Sequence, residues 1–139
     1  MAYGLVETEA EAEGAANEYS FYVGEGYRIN NVGFRRYTMR LDGFFSFYAP
    51  DAGGSFLSVP LTVTRDEMRI NFASSARGGV QITLCDEAGV PLDGYESYVM
   101  FGDSVDRLVE FASPLSALRD RRVTLRVTLR DTHLYSFVL

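Results

Sequence analysis

Lysine and tryptophan are absent from the 139-residue chain, and histidine (His133) and cysteine (Cys85) occur once each. Each absence excludes a chemistry. Without lysine there is no Schiff-base or lysine-base catalysis, and no phosphate-binding P-loop. One histidine and one cysteine cannot assemble a zinc site of several His or Cys ligands. A lone cysteine forms no intrachain disulfide, and a serine–histidine–acid triad has only His133 to draw on. Residues 1–18 lack the basic and apolar regions of a secretory signal. No run approaches the roughly 18 apolar residues of a membrane span. These features together indicate a reducing, cytoplasmic setting; a place within a longer exported protein would make it extracellular. No residue pattern asks for a cofactor or a metal.

All 13 basic residues are arginine, against 19 acids, for a net charge of −6. The excess is local. Residues 1–27 carry Glu7, Glu9, Glu11, Glu13, Glu18 and Glu25 and no base, whereas residues 28–139 balance 13 acids with 13 arginines. An acidic leader on a neutral body argues against nucleic acid and anionic membrane as partners, since both need a basic face. Between Glu7 and Asn17 the only apolar groups are alanines, and Gly14 interrupts them. Residues 1–18 therefore read as an acidic tail, disordered or a frayed helix, and 19–139 as one domain.

From Tyr19 onward the apolar period is two, the signature of half-buried strands. Val123, Leu125, Val127 and Leu129 alternate with arginine and threonine. The runs Tyr37–Leu41, Leu57–Val63, Met68–Phe72 and Val80–Leu84 do likewise, with weaker runs at Tyr19–Val23, Phe44–Ala49, Leu108–Ala112 and Leu134–Leu139. Pro60 makes its run an edge strand or a bulged one. Turn signals separate the runs: Asp42-Gly43, Gly53-Gly54, Arg65-Asp66, Gly78-Gly79, Asp86 to Gly89, Asp93-Gly94 and Asp131-Thr132. One helical turn fits Pro114 to Asp120. Eight or nine strands of this kind predict an all-β antiparallel sandwich or jelly roll, its core filled from ten Phe and nine Tyr.

Candidate chemistry concentrates in Gly94–Asp106, where aromatic rings mix with acids. Tyr95, Tyr98, Asp103 and Asp106 are the candidate ligand-binding residues: rings to lie against sugar faces, carboxylates to bond hydroxyls. The competing reading packs Val99, Met100 and Phe101 under the sheet. The same acids could hold calcium or form a glycosidase pair, but no motif fixes either spacing. His133 reads as an exposed turn residue. The arginines Arg36 and Arg40, and Arg122, Arg126 and Arg130, read as partners for neighbouring acids rather than as an anion-binding patch.

The block Arg36-Tyr37-Thr38-Met39-Arg40-Leu41-Asp42-Gly43-Phe44 resembles the start of the C-terminal β-sandwich module that follows five-bladed propellers in glycoside-hydrolase-like proteins. Later blocks keep the order: Gly53-Gly54, Pro60-Leu61-Thr62, Gln81 to Leu84 with Asp86 and Gly89-Val90-Pro91, Gly102-Asp103-Ser104 with Asp106-Arg107, Leu115 to Leu118, Val123 to Asp131 and Leu134 to Phe137. The likeness covers roughly 34–139 and points to fructan- and arabinan-type hydrolases of families 32 and 43. It implies a non-catalytic accessory domain that stabilises a propeller partner or binds carbohydrate weakly. It carries no catalytic residue, because the family's acids lie on the propeller. The chain departs from the family in lacking a tryptophan before Leu115 and in a shorter, more apolar Gly94–Gly102 stretch. A sandwich without its propeller also leaves an apolar face to cover, so a homodimer or a docked partner is expected. Two further readings stand beside this one: an assembly module without sugar binding, and a small carboxylate-dependent glycosidase.

Overall fold

A computed structural model describes residues 2–26, 28 and 31–139. The chain is all-β and antiparallel, and it divides into two compact units, 1–43 and 44–139.

The first unit is a three-stranded meander of β1 (Ala2–Thr8), β2 (Glu18–Glu25) and β3 (Gly33–Arg40), in that spatial order. This corrects the tail expected over 1–18. Met1 lies outside the described residues, but Ala2–Thr8 is a strand paired with β2, neither disordered nor helical. It also corrects the boundary, which falls after Gly43 rather than after residue 18. Strand alternation puts Glu18, Ser20 and Tyr22 on one face, with Val6, Thr8, Phe34, Arg36 and Thr38. Tyr19, Phe21 and Val23 share the other with Tyr37 and Met39, and the rings of Phe21 and Tyr37 stack at 5.7 Å.

On the first face the unit is held by polar bonds. Arg36 donates through Nε to Ser20 Oγ (2.8 Å) and through Nη2 to Thr8 Oγ1 (3.1 Å) and Glu18 Oε1 (2.9 Å). Ser20 and Thr8 also bond each other at 2.8 Å. One guanidinium thus ties all three strands, and fully buried Ser20 has its partners.

The second unit carries seven strands: β4 (Phe47–Ala49), β5 (Gly54–Leu57), β6 (Leu61–Thr62), β7 (Met68–Cys85), β8 (Pro91–Glu96), β9 (Asp103–Val109) and β10 (Arg122–Val138). A single 3₁₀ turn, Leu115–Leu118, falls where the helical turn was expected. The sheet order is β4-β10-β7-β8, with β5 and β6 also on β10 and β9 also on β7. The unit's frame is therefore the pair β7 and β10, of 18 and 17 residues.

Extended, 18 residues would span roughly 60 Å, whereas a unit of about 100 residues has a radius of gyration near 13 Å. The long strands must bend. Met68, Ile70 and Phe72 from the first half of β7 join Val80, Ile82 and Leu84 from its second half in one buried cluster. Val123, Leu125, Val127, Leu129 and Leu134 of β10 complete it. The sheet folds over its own core as an antiparallel sandwich.

Two expected turns prove to be the bends. Gly78-Gly79 stays within β7, at a crowded point of the sheet. A Cβ on Gly78 would enter the carbonyl oxygens of Arg130 and Asp131, and one on Gly79 would lie 2.6 Å from Val99 Cγ1 and 2.9 Å from Met100 O. Asp131-Thr132 is likewise inside β10, where the register with β7 shifts between Arg130 and Thr132 and Asp131 takes φ 39°. There Asp131 alone stands opposite residues 75–78 of β7, and across it the inward set of β10 passes from odd to even numbers, Leu129 to Thr132 and Leu134, so both halves face the core. Asp93-Gly94 is a third expected turn that lies within a strand, β8. These continuations merge expected strands, while β1 and β8 add new ones and Pro60 separates β5 from β6. The total is ten. Ser58 bridges that gap, its N–H donating to Leu125 O and its Oγ accepting from Leu125 N–H, each at 2.9 Å.

Candidate functional site

The connection from β8 to β9 is pinned at both ends and free in the middle. Ser97 N–H donates to Ile82 O at 2.8 Å, and its buried Oγ accepts from Ile82 N–H at 3.0 Å while donating to Tyr98 O at 2.9 Å. Three residues on, Met100 and Val80 exchange both backbone bonds at 2.8 Å. Gly102 N–H then donates to Ser74 Oγ at 2.9 Å. Between these anchors Tyr98 and Val99 are thrown outward, with Gly79 directly beneath Val99. Met100 is buried, whereas Tyr98 and Phe101 are 84% and 72% exposed. The reading that put Val99, Met100 and Phe101 together under the sheet holds for Met100 alone.

Ser97, Tyr98, Val99, Met100 and Phe101 form one wall of a hollow of about 240 Å³, and Arg107, Leu108 and Glu110 form the other. A shallower hollow adjoins it, sharing Arg107, Leu108 and Glu110 and adding Arg69, Ser104 and Asp106. The volume is below the roughly 300–1,000 Å³ of enclosed small-molecule sites. It suits a single ring or side chain rather than a cofactor.

The four candidate residues divide. Tyr98 and Asp106 line the two adjoining hollows. Asp106 accepts from Arg69 Nη1 at 2.8 Å, and the Arg69 guanidinium also contacts Glu67 at 3.2 Å. That hydrogen bond to Glu67, followed by the charge of Asp106, raises the Arg69 pKa above its ordinary value. Asp103 opens β9 opposite Ala73 and lines neither hollow. Tyr95 is a core residue, 7% exposed, its ring against Phe111 and its hydroxyl donating to Pro114 O at 3.1 Å. The expectation that Tyr95 faces a ligand is therefore corrected. Alternation along β8 turns it inward, and a main-chain carbonyl satisfies its one polar atom.

Sequence reasoning left out the opposite wall, Arg107, Leu108 and Glu110. The signal was the exposed Leu108 beside two charges on an otherwise ordinary strand, which becomes informative only once β9 is known to border the Tyr98 loop.

His133 is exposed but lies within β10, not in a turn. Its Nδ1 shares a hydrogen bond with Ser46 Oγ at 2.9 Å, and its ring stacks on Tyr48 at 4.5 Å and Tyr135 at 6.0 Å. This is a row of rings on an open sheet face, where water keeps the local dielectric high. The arginines of β10 are engaged locally: Arg122 with Glu87 at 3.4 Å, Arg126 with Gly89 O at 2.8 Å and Arg130 with Asp51 at 2.8 Å. Among the described residues no group of three or more His, Cys, Asp or Glu could hold a metal ion, and no helix is long and apolar enough to cross a membrane.

No family model, curated protein or solved structure matches this chain.

Proposed function

We propose that this chain is a non-catalytic accessory β-sandwich that binds carbohydrate in the hollow between Tyr98–Phe101 and β9, and that it serves a catalytic partner of the glycoside-hydrolase propeller type. The observation that carries the reading is the exposure of two aromatic rings beside Arg107 and Glu110. Rings stack on the apolar faces of a sugar, and the guanidinium and carboxylate suit its hydroxyls. One charge of each sign favours a neutral glycan over an anionic one. Among the described residues Glu110 is the one acid lining this hollow, and Asp106 in the adjoining one is tied to Arg69; a single free carboxylate is short of the pair a glycosidase uses, which supports binding over acid–base catalysis.

Affinity electrophoresis through gels containing neutral β- and α-linked polysaccharides tests the proposal. Retardation by at least one polymer is expected, and Tyr98→Ala should weaken it roughly tenfold, the scale of one lost ring contact. Absence of retardation in every gel, confirmed by a blank glycan array, would remove the carbohydrate reading. The assembly reading has its own support in Phe45, Phe47, Leu57 and Val59, which are exposed along the β4–β6 margin of the second unit. Light scattering that shows one protomer mass at high concentration would count against it.

A further inference from the structure

The three-stranded unit ends in two strand edges that are chemically unlike. Among the described residues β1 pairs only with β2, and β3 only with β2, so each has one side without a strand partner. Neither strand contains proline, and both are largely exposed over Gly4–Glu7 and Gly33–Arg35. Such edges are templates for another strand unless something blunts them. Every residue of the buried apolar cluster lies in 44–139, so the meander has little internal burial to stand on.

Charge selects the occupant. The β1 side carries Glu7, then Glu9, Glu11 and Glu13, while β3 carries Arg35, Arg36 and Arg40 and no acid. Two copies joined through their β1 edges would bring acids near acids, and through their β3 edges bases near bases, and like charges at such spacings repel. A head-to-tail contact opposes unlike charges. Face parity is compatible with it. Val6 and Phe34, both exposed, share one face of the sheet, and Glu7 and Arg35 share the other. β1 and β3 run in the same direction, so a second copy translated across the sheet and shifted four residues along the strands, from the level of Thr38-Met39 to that of Phe34-Arg35, lays Val6-Glu7 beside Phe34-Arg35 with apolar next to apolar and acid next to base. Arg35 now bonds Glu25 at 3.2 Å in an exposed pair, which is worth little and readily exchanged.

We propose that this chain associates with further copies of itself head to tail, β1 of one copy adding in parallel to β3 of the next. The inference is independent of carbohydrate binding. A heterologous contact of this kind yields a ring or an open filament rather than a two-fold dimer. It weakens as salt rises, because the Debye length falls from about 30 Å at 0.01 M to about 3 Å at 1 M.

Sedimentation velocity on the full chain tests the proposal over concentration and salt. Wild type is expected to show species beyond the dimer at low salt that dissociate at high salt. Glu7→Arg alone and Arg35→Glu alone should each weaken association roughly tenfold, because each places like charges across the contact. Their one-to-one mixture, and the double variant, should restore it. Far-UV circular dichroism checks that each variant keeps its strands, and both side chains are exposed enough to be replaced. A monomer at every concentration, single variants that associate like wild type, or a mixture that fails to recover would each overturn the head-to-tail contact.

Discussion

Gly78 and Gly79 show how one residue type serves two opposite ends. In sequence the pair signals a turn, because glycine reaches backbone angles that other residues avoid. In the structure neither has a positive φ; both are glycine because the bend of β7 leaves no volume for a Cβ. Gly79→Ala should overpack the contact with Val99 and Met100 and lower unfolding free energy by about 1–3 kcal/mol. Gly78→Ala, which meets main-chain carbonyls, should cost more than Gly79→Ala. Urea denaturation checks both, and a neutral Gly78→Ala would mean that the bend relaxes freely. Tyr95→Phe is a milder case: the ring still fills its place, and loss of the bond to Pro114 O should remove about 1 kcal/mol. Neither residue's role could be read from composition. A missing Cβ and a buried hydroxyl are defined by neighbours 19 to 53 positions away in the chain.

At the scale of elements, alternation was legible and continuity was not. The inward sets of β7 and β10 stood out because valine, leucine and isoleucine repeat every second residue. That two runs formed one strand was hidden, since Asp131 breaks the parity in β10 and residues 73–79 are small or polar. β1 was hidden for another reason: only Leu5 and Val6 mark it, and its partner strand begins ten residues after it ends. Its stability rests on Arg36, with the side chain 30% exposed. Arg36→Met should leave Ser20 and Thr8 without their charged donor, costing about 1–2 kcal/mol after allowance for solvent screening. Amide exchange in β1 and β3 should then quicken roughly tenfold, with 44–139 unaffected.

The same sheet carries a pH dependence. The hydrogen bond from Tyr37 Oη to Glu25, then burial and the nearby carboxylate charge, raise the Tyr37 pKa above the ordinary 10.0. The folded unit therefore favours the protonated phenol. That contribution is fully present below about pH 10 and disappears as pH rises through the folded-state value. Amide exchange of β2 and β3, corrected for its intrinsic pH dependence, should show weaker protection at strongly alkaline pH in wild type. The loss should be smaller in Tyr37→Phe, which has no proton to release.

For the whole molecule, the two units are built on different physics, and that asymmetry sets how the chain comes apart. The unit over 44–139 buries Phe72, Met68, Ile70, Ile82, Leu84, Leu125 and Leu134 almost completely, whereas 1–43 relies on an arginine-centred polar network and strand pairing. Apolar burial contributes about 25 cal/mol per Å², while exposed polar pairs contribute little each. The stability of the two units should therefore differ, and native-state hydrogen exchange resolves them. Amides of β7 and β10 should exchange last, through opening of the 44–139 core, and those of β1–β3 should exchange earlier through a separate opening. Phe72→Ala supplies the decisive contrast. Removing that ring should reduce protection in β7 and β10 by about 3–5 kcal/mol, leaving β1–β3 amides at their wild-type rates. Equal loss of protection in both units would show that they unfold as one cooperative body, and the polar network of Arg36 would then be an appendage of the apolar core rather than a structure that stands by itself.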